Sequence, residues 1–288
     1  MLSFIKFLQK IVRKTPVLPL ILSLILGLFG FLGESIDRLA GSPPQELVAS
    51  QTLLFLDSYT HSQDVATDGQ NYYFSSRFSL IKTELDGESL LAINLDAIPK
   101  DLKDKYGSAH IGGISYHDGK IYAALEDSKV WNYPIVALYD AESLEYTGQY
   151  HILSAEFQQK GLAWIAVDSE RGLIYSAQRD HSPQLIAYDL ETFELVKTID
   201  LSQNPHRIQG GDMHKGILYV ATQDETQAVY SINPENGEVR KCFDQNLPKG
   251  GEAEGLTVLE TDDGALLHTL DLGPLFINAF FRHYSLSQ

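Results

Sequence analysis

The chain has 288 residues, with 44% hydrophobic and 21% charged side chains and a formal net charge of −16. These are the proportions of a globular protein and not of a disordered one. The acidic balance excludes nucleic acid as a partner, because phosphate binding needs a basic surface. The single cysteine, Cys242, excludes an intrachain disulfide and any Cys-rich metal site. It is expected to be packed and inert.

In chain order, Lys6, Lys10, Arg13 and Lys14 precede the apolar run Pro16 to Gly33. A positive flank followed by such a run is the pattern of a signal peptide or a signal anchor. The run sits at the low end of the about 17–25 residues that span a bilayer. We expect an uncleaved transmembrane helix within residues 1–40, with a cytoplasmic basic flank. Residues 41–50, opening with Gly41-Ser42-Pro43-Pro44, read as a linker. The remainder, residues 51–288, is then membrane-anchored and extracytoplasmic, or secreted if the segment is cleaved.

From Ser50 onward the pattern is alternating β-type runs punctuated by Gly-marked turns. The return strands Asn71-Tyr72-Tyr73-Phe74, Lys120-Ile121-Tyr122-Ala123, Leu173-Ile174-Tyr175-Ser176, Ile217-Leu218-Tyr219-Val220 and Ala265-Leu266-Leu267-His268 align. Their anchors Tyr73, Tyr122, Tyr175, Tyr219 and Leu267 are 49, 53, 44 and 48 residues apart. A period in the forties with turns inside each unit is the signature of propeller blades. Behind three of the return strands stands an outer hairpin opened by Asp140, Asp189 or Asn233, residue types that bond their own backbone at a turn.

Five units of about 47 residues fill 51–288. The last unit, Glu252 to Leu286, supplies three strands, and the orphan run Thr52 to Asp57 is expected to complete it and seal the ring. The expected fold is therefore an all-β five-bladed β-propeller, preceded by a transmembrane helix.

In such a ring, the loops entering the inner strands and the loops after the second strands open on one face. They carry Asp64, Arg77, His110, Glu126, Arg179, Asp180, Gln209, Asp224 and Glu254, with Asp212 slightly further into its strand. These are the expected ligand-binding residues, and His110 is the candidate general base. Gly112-Gly113, Gly210-Gly211 and Gly255 fall where inner strands crowd the axis, and their expected role is steric.

Three functions compete for this face. The first is binding of a small polar molecule, a glycan or a cell-envelope component, with Trp131 and Trp164 as stacking platforms. The second is a metal-assisted lactonase or hydrolase, in which Asp64, Asp212 and Glu254 are candidate ligands for Ca²⁺ or another divalent cation. The third is a protein-interaction scaffold. A monomer is expected. No G-x-S-x-G elbow, H-E-x-x-H, P-loop or dinucleotide fingerprint occurs.

His110-Ile111-Gly112-Gly113-Ile114, with its Tyr-Asp outer hairpin, resembles secreted bacterial propellers of the broad YVTN, NHL and gluconolactonase-like group. The resemblance covers about residues 51–288 and implies either a binding or scaffold role or a lactonase holding a divalent metal through a Glu at an E-G pair. Glu254-Gly255 matches that pair, in the last blade instead of the first.

Overall fold

The computed structural model describes residues 47–53, 57–127, 129–262, 264–276 and 278–286. The expected transmembrane helix lies outside these residues. Among the described residues, no helix is long and apolar enough to cross a membrane.

Among the described residues, twenty strands form five four-stranded antiparallel sheets, the blades of a propeller. Blade 1 is β2 (Asp64–Thr67), β3 (Asn71–Ser75), β4 (Leu80–Glu84) and β5 (Leu90–Asn94). Blade 2 is β6 (His110–His117), β7 (Lys120–Glu126), β8 (Ile135–Asp140) and β9 (Tyr146–Ile152). Blade 3 is β10 (Ala166–Asp168), β11 (Leu173–Ala177), β12 (Gln184–Asp189) and β13 (Leu195–Asp200). Blade 4 is β14 (Ile208–His214), β15 (Ile217–Thr222), β16 (Ala228–Asn233) and β17 (Glu238–Asp244). Blade 5 is β18 (Glu252–Thr261), β19 (Gly264–Leu272) and β20 (Ala279–Ser285), completed by β1 (Leu47–Leu53). Among the described residues, two short helices, α1 (Asp57–Thr60) and α2 (Lys100–Tyr106), lie between strands.

The sealing strand is displaced from its expected place. The paired run is 47–53, with Leu47 opposite Tyr284 and Leu53 opposite Ala279, so it begins inside the stretch read as linker. An outermost strand is half exposed, and Ala49, Ser50, Gln51 and Thr52 carry little apolar signal to mark it.

Local chemistry explains the blades. In the β6–β7 hairpin, Asp118 and Gly119 take φ of 46° and 71°, the left-handed pair that matches strand twist. Outside, Asp140 Oδ1 accepts hydrogen bonds from the backbone N–H of Glu142 and Ser143, and Asp189 Oδ1 accepts from Glu191 and Thr192. Tyr73, Tyr122, Tyr175 and Leu267 are buried between blades and Tyr219 is half-buried, so the repeat anchors are core residues. Each large side chain so buried contributes about 1.5–3 kcal/mol.

The axis is filled by Asp64. Its Oδ1 accepts from the N–H of Val65 (2.8 Å) and Leu256 (3.0 Å), and its Oδ2 accepts from Ile114 N–H (2.8 Å). One carboxylate therefore ties blades 1, 2 and 5. The glycines make the approach possible: a Cβ on Gly255 would stand 2.2 Å from Asp64 Oδ1, and one on Gly113 2.7 Å from Trp164 Cα. Nearer the opposite face, Asp212 Oδ2 accepts from Thr257 Oγ1 and Val258 N–H, joining blade 4 to blade 5.

Candidate functional site

The inner strands begin on the top face, and so do the loops that follow the second strands. His110 opens β6 and Glu126 ends β7 as its cross-strand partner. This register sets His110 Nδ1 2.8 Å from Glu126 Oε1. The other ring nitrogen, Nε2, faces Gln63 Oε1 at 2.5 Å, from the loop entering blade 1. Gln63 is oriented by its own Nε2, which donates to Ser62 O. Both His110 nitrogens thus face side-chain oxygens.

Glu126 is 1% exposed, and a buried carboxylate needs partners. Besides His110 it has Arg179, from the β11–β12 loop of blade 3, whose Nη1 donates to Oε1 at 2.6 Å and Oε2 at 2.8 Å. The Arg179 guanidinium lies over the Trp131 ring, 5.0 Å from its centroid. Trp131 is presented by a loop wound on Asp127, which accepts from the N–H groups of Lys129, Val130, Trp131 and Asn132. Burial acts to raise the Asp127 pKa, but those four donors outweigh it and hold the carboxyl below its usual range.

Beside this group, Lys160 Nζ pairs with Asp180 Oδ2 at 2.5 Å. Asp180 is held below the usual carboxylate range, first by the Lys160 bond and then by the charges of Arg179 and Arg207. Lys160 and Gly161 are both left-handed, with φ of 65° and 94°. A Cβ on Gly161 would stand 2.3 Å from Glu126 Oε2 and 2.8 Å from Trp131 Cε3, so only glycine admits the carboxylate and the ring together. The loop is anchored below by Gln158, fully buried, whose Nε2 donates to Tyr188 OH.

Of the expected site residues, the structure brings together His110, Glu126, Arg179 and Asp180. Arg77 stands on the same rim, exposed, with Nε donating to Ala109 O at 3.4 Å. Gln209 is half-buried in β14 and Glu254 is buried in β18. Asp224 caps its own loop, accepting from the N–H of Thr226 and Ala228 and from Tyr230 OH. Asp64 and Asp212 are taken up by backbone donors at the axis, and burial raises the pKa of both despite those donors. Among the described residues, no group of three or more His, Cys, Asp or Glu side chains is gathered for a metal ion.

Trp164 is no platform: it is fully buried, with its backbone against Gly113 and its ring edge against Gly211. Cys242, expected in the core, is exposed on β17. Gln63 and Lys160 are polar residues that the blade-entry loops were expected to bring to this face, whereas Gly161 belongs to the cluster without having been singled out. The doublet Lys160-Gly161 outside any strand signal was the one available hint of a left-handed turn there.

A family model described as a repeat of unknown function (DUF6923) matches residues 81–255. None of the curated proteins matches the chain. Among solved structures, it is similar to the computationally designed Ika8 protein (8% identity, TM-score 0.38, covering 77% of this chain and 57% of that one). It is also similar to U3-55K (12%, 0.42, 73% and 59%) and to the hydrazine synthase of Kuenenia stuttgartiensis (12%, 0.44, 80% and 60%). The chain thus spans about three-fifths of the length of each.

Proposed function

We propose that this chain, which belongs to the DUF6923 repeat family, binds a small polar ligand or a cell-envelope component through its top face. The observation that carries this reading is the linked set Gln63, His110, Glu126, Arg179 and Trp131, drawn from three successive blades onto one rim. Fixed polar groups beside an aromatic ring are what a pocket for a polar molecule requires. The N-terminal basic and apolar run supports placing this face outside the cytoplasmic membrane, anchored by residues 1–40. The repeat pattern supports kinship with the YVTN, NHL and gluconolactonase-like propellers.

A hydrolytic reading draws on one feature, the imidazole of His110 held through Nδ1 by a buried carboxylate, as a general base is held, and it requires Gln63 to leave Nε2 before that nitrogen can take a proton. A required Ca²⁺ has little to recommend it here, since Asp64 and Asp212 bond to backbone N–H groups.

The test is thermal melting against a panel of oligosaccharides and small organic acids. Binding at this face predicts a rise in melting temperature for some member, lost in His110→Ala and Arg179→Ala. A rise that survives both substitutions, or no rise with any member, rejects it.

A further inference from the structure

We infer that the rim between blades 2, 3 and 4 is an oxyanion site, with Arg179 as its principal donor and a carboxylate, phosphate or sulfate group as its ligand. This rests on the ligand-binding reading above and adds the charge and geometry of what is bound.

Arg179 is half used. Nη1 alone serves Glu126, and one face of the guanidinium lies on Trp131. Among the described residues, Nε and Nη2 make no hydrogen bond, and 26% of the side chain is exposed. A guanidinium pinned at one nitrogen and stacked on one face has already lost most of its rotamer freedom. What remains is the Nε–Nη2 edge, two parallel donors at the spacing of two oxyanion oxygens.

The surrounding charge has the matching sign. Lys160 pairs with Asp180, Arg179 precedes Asp180 in the chain, and the ring of His206, next to Arg207, meets that of His181 at 5.0 Å, which gathers these groups on one stretch of rim. With Arg77, exposed on the same rim, the cations number four against Glu126, Asp180 and Asp127, which leaves one positive charge in excess. This excess stands on a chain of net charge −16. A local patch opposite in sign to its protein directs an anion to one place instead of spreading it over the surface. Arg77 extends the patch towards blade 1.

Two features maintain the geometry. The Asp127 loop fixes Trp131 beneath the guanidinium, and the missing side chain of Gly161 lets Glu126 and Trp131 meet. Glu126, buried and saturated, orients Arg179 and does not itself touch the ligand.

The test uses the whole chain at matched ionic strength, because screening alone would shift a charged site. Melting temperature and calorimetric affinity are measured with inorganic phosphate, sulfate, citrate and trigalacturonate, with a neutral trisaccharide and chloride as references. The expected result is that at least one anion binds and the neutral sugar does not. Arg179→Gln should weaken that binding at least tenfold, and Lys160→Gln or Arg207→Gln several-fold. Arg240→Gln, on the outer strand β17, should leave it unchanged. Phosphate and trigalacturonate separate a free inorganic anion from a carboxylated glycan as the source.

If Arg179→Gln lowers stability in chloride, the exposed Lys160 and Arg207 variants still decide the matter. Equal affinity in wild type and all three variants overturns the oxyanion site. Binding of the neutral sugar alone, lost in His110→Ala, overturns the oxyanion class and leaves the ligand-binding reading standing. No response to anions or sugar overturns both.

Discussion

Nδ1 of His268 and Nδ1 of His283 face each other at 2.7 Å across the β19–β20 pair, and only one proton fits between them. Their outer nitrogens settle its direction. Gln51 Nε2 donates to Asp86 O, which turns Gln51 Oε1 towards His283 Nε2, so that nitrogen is a donor. His283 Nδ1 then accepts from His268 Nδ1–H, and His268 Nε2 accepts from Tyr72 OH. The chain runs from blade 1 through β19, β20 and β1 and returns to blade 1, with both rings neutral.

An added proton has no place in this chain. The rings are enclosed by Tyr72 from β3, Phe281 from β20 and Gln51 from β1. The carboxylate of Asp86, whose backbone carbonyl ends this chain, is turned to Ser89 and Glu88. Burial, and next the other ring, press the His268 pKa down to about 3, and burial lowers that of His283. The unfolded chain therefore takes up protons that the folded one refuses. The stabilisation is complete above about pH 6.5 and is lost as pH falls towards 3, at up to about 1.4 kcal/mol per pH unit for each ring. Chemical denaturation between pH 8 and 4 should show this slope, and the double variant His268→Gln/His283→Gln should flatten it. An unchanged slope would assign the acid sensitivity elsewhere.

Asp64→Ala should be among the most damaging single changes in the chain. It leaves the N–H groups of Val65, Ile114 and Leu256 without their acceptor, at about 1–3 kcal/mol each. Urea midpoints should fall by the equivalent of more than about 3 kcal/mol. Asp224→Ala, which uncaps a loop, should cost less.

Gly161→Ala should act at the rim without touching the ligand. Its Cβ meets Glu126 and Trp131, at a φ that costs an L-residue about 1–3 kcal/mol. Oxyanion affinity should drop alongside stability, while Gly119→Ala, whose Cβ meets nothing within 4 Å, should reduce stability alone.

A chain beginning at Leu47 retains β1, and one beginning at Asp57 lacks it. The second should melt lower and self-associate, because β20 becomes an open edge. Equal melting of the two would mean that β1 contributes nothing to sealing the ring.

The blades were legible because their inner and middle strands are buried on both faces and repeat the same buried aromatic. Tyr73, Tyr122 and Tyr175 recur for a packing reason, and packing leaves a periodic trace. The Asx turns at Asp140 and Asp189 were legible because that chemistry is local. The outer strands β5, β9 and β13 are mostly exposed and β1 is similar, so the sealing strand was placed too late in the chain. Acids were the hardest to read. Asp64 and Glu126 look alike in sequence, yet one knots the axis and the other orients an arginine. Which backbone N–H or side chain a carboxylate meets depends on the approach of blades far apart in sequence.

The first described strand pairs with the last, and this orders events during synthesis. Four blades can form as their residues emerge, but blade 5 lacks its outer strand until β20 has been made and met by β1. The entropy of closing so long a loop grows only logarithmically with its length, so the delay adds little to the thermodynamic cost. Its effect is on timing. Until β20 is available, β1 waits with an unpaired edge, and the interval between its synthesis and its capture is when that edge most needs protection.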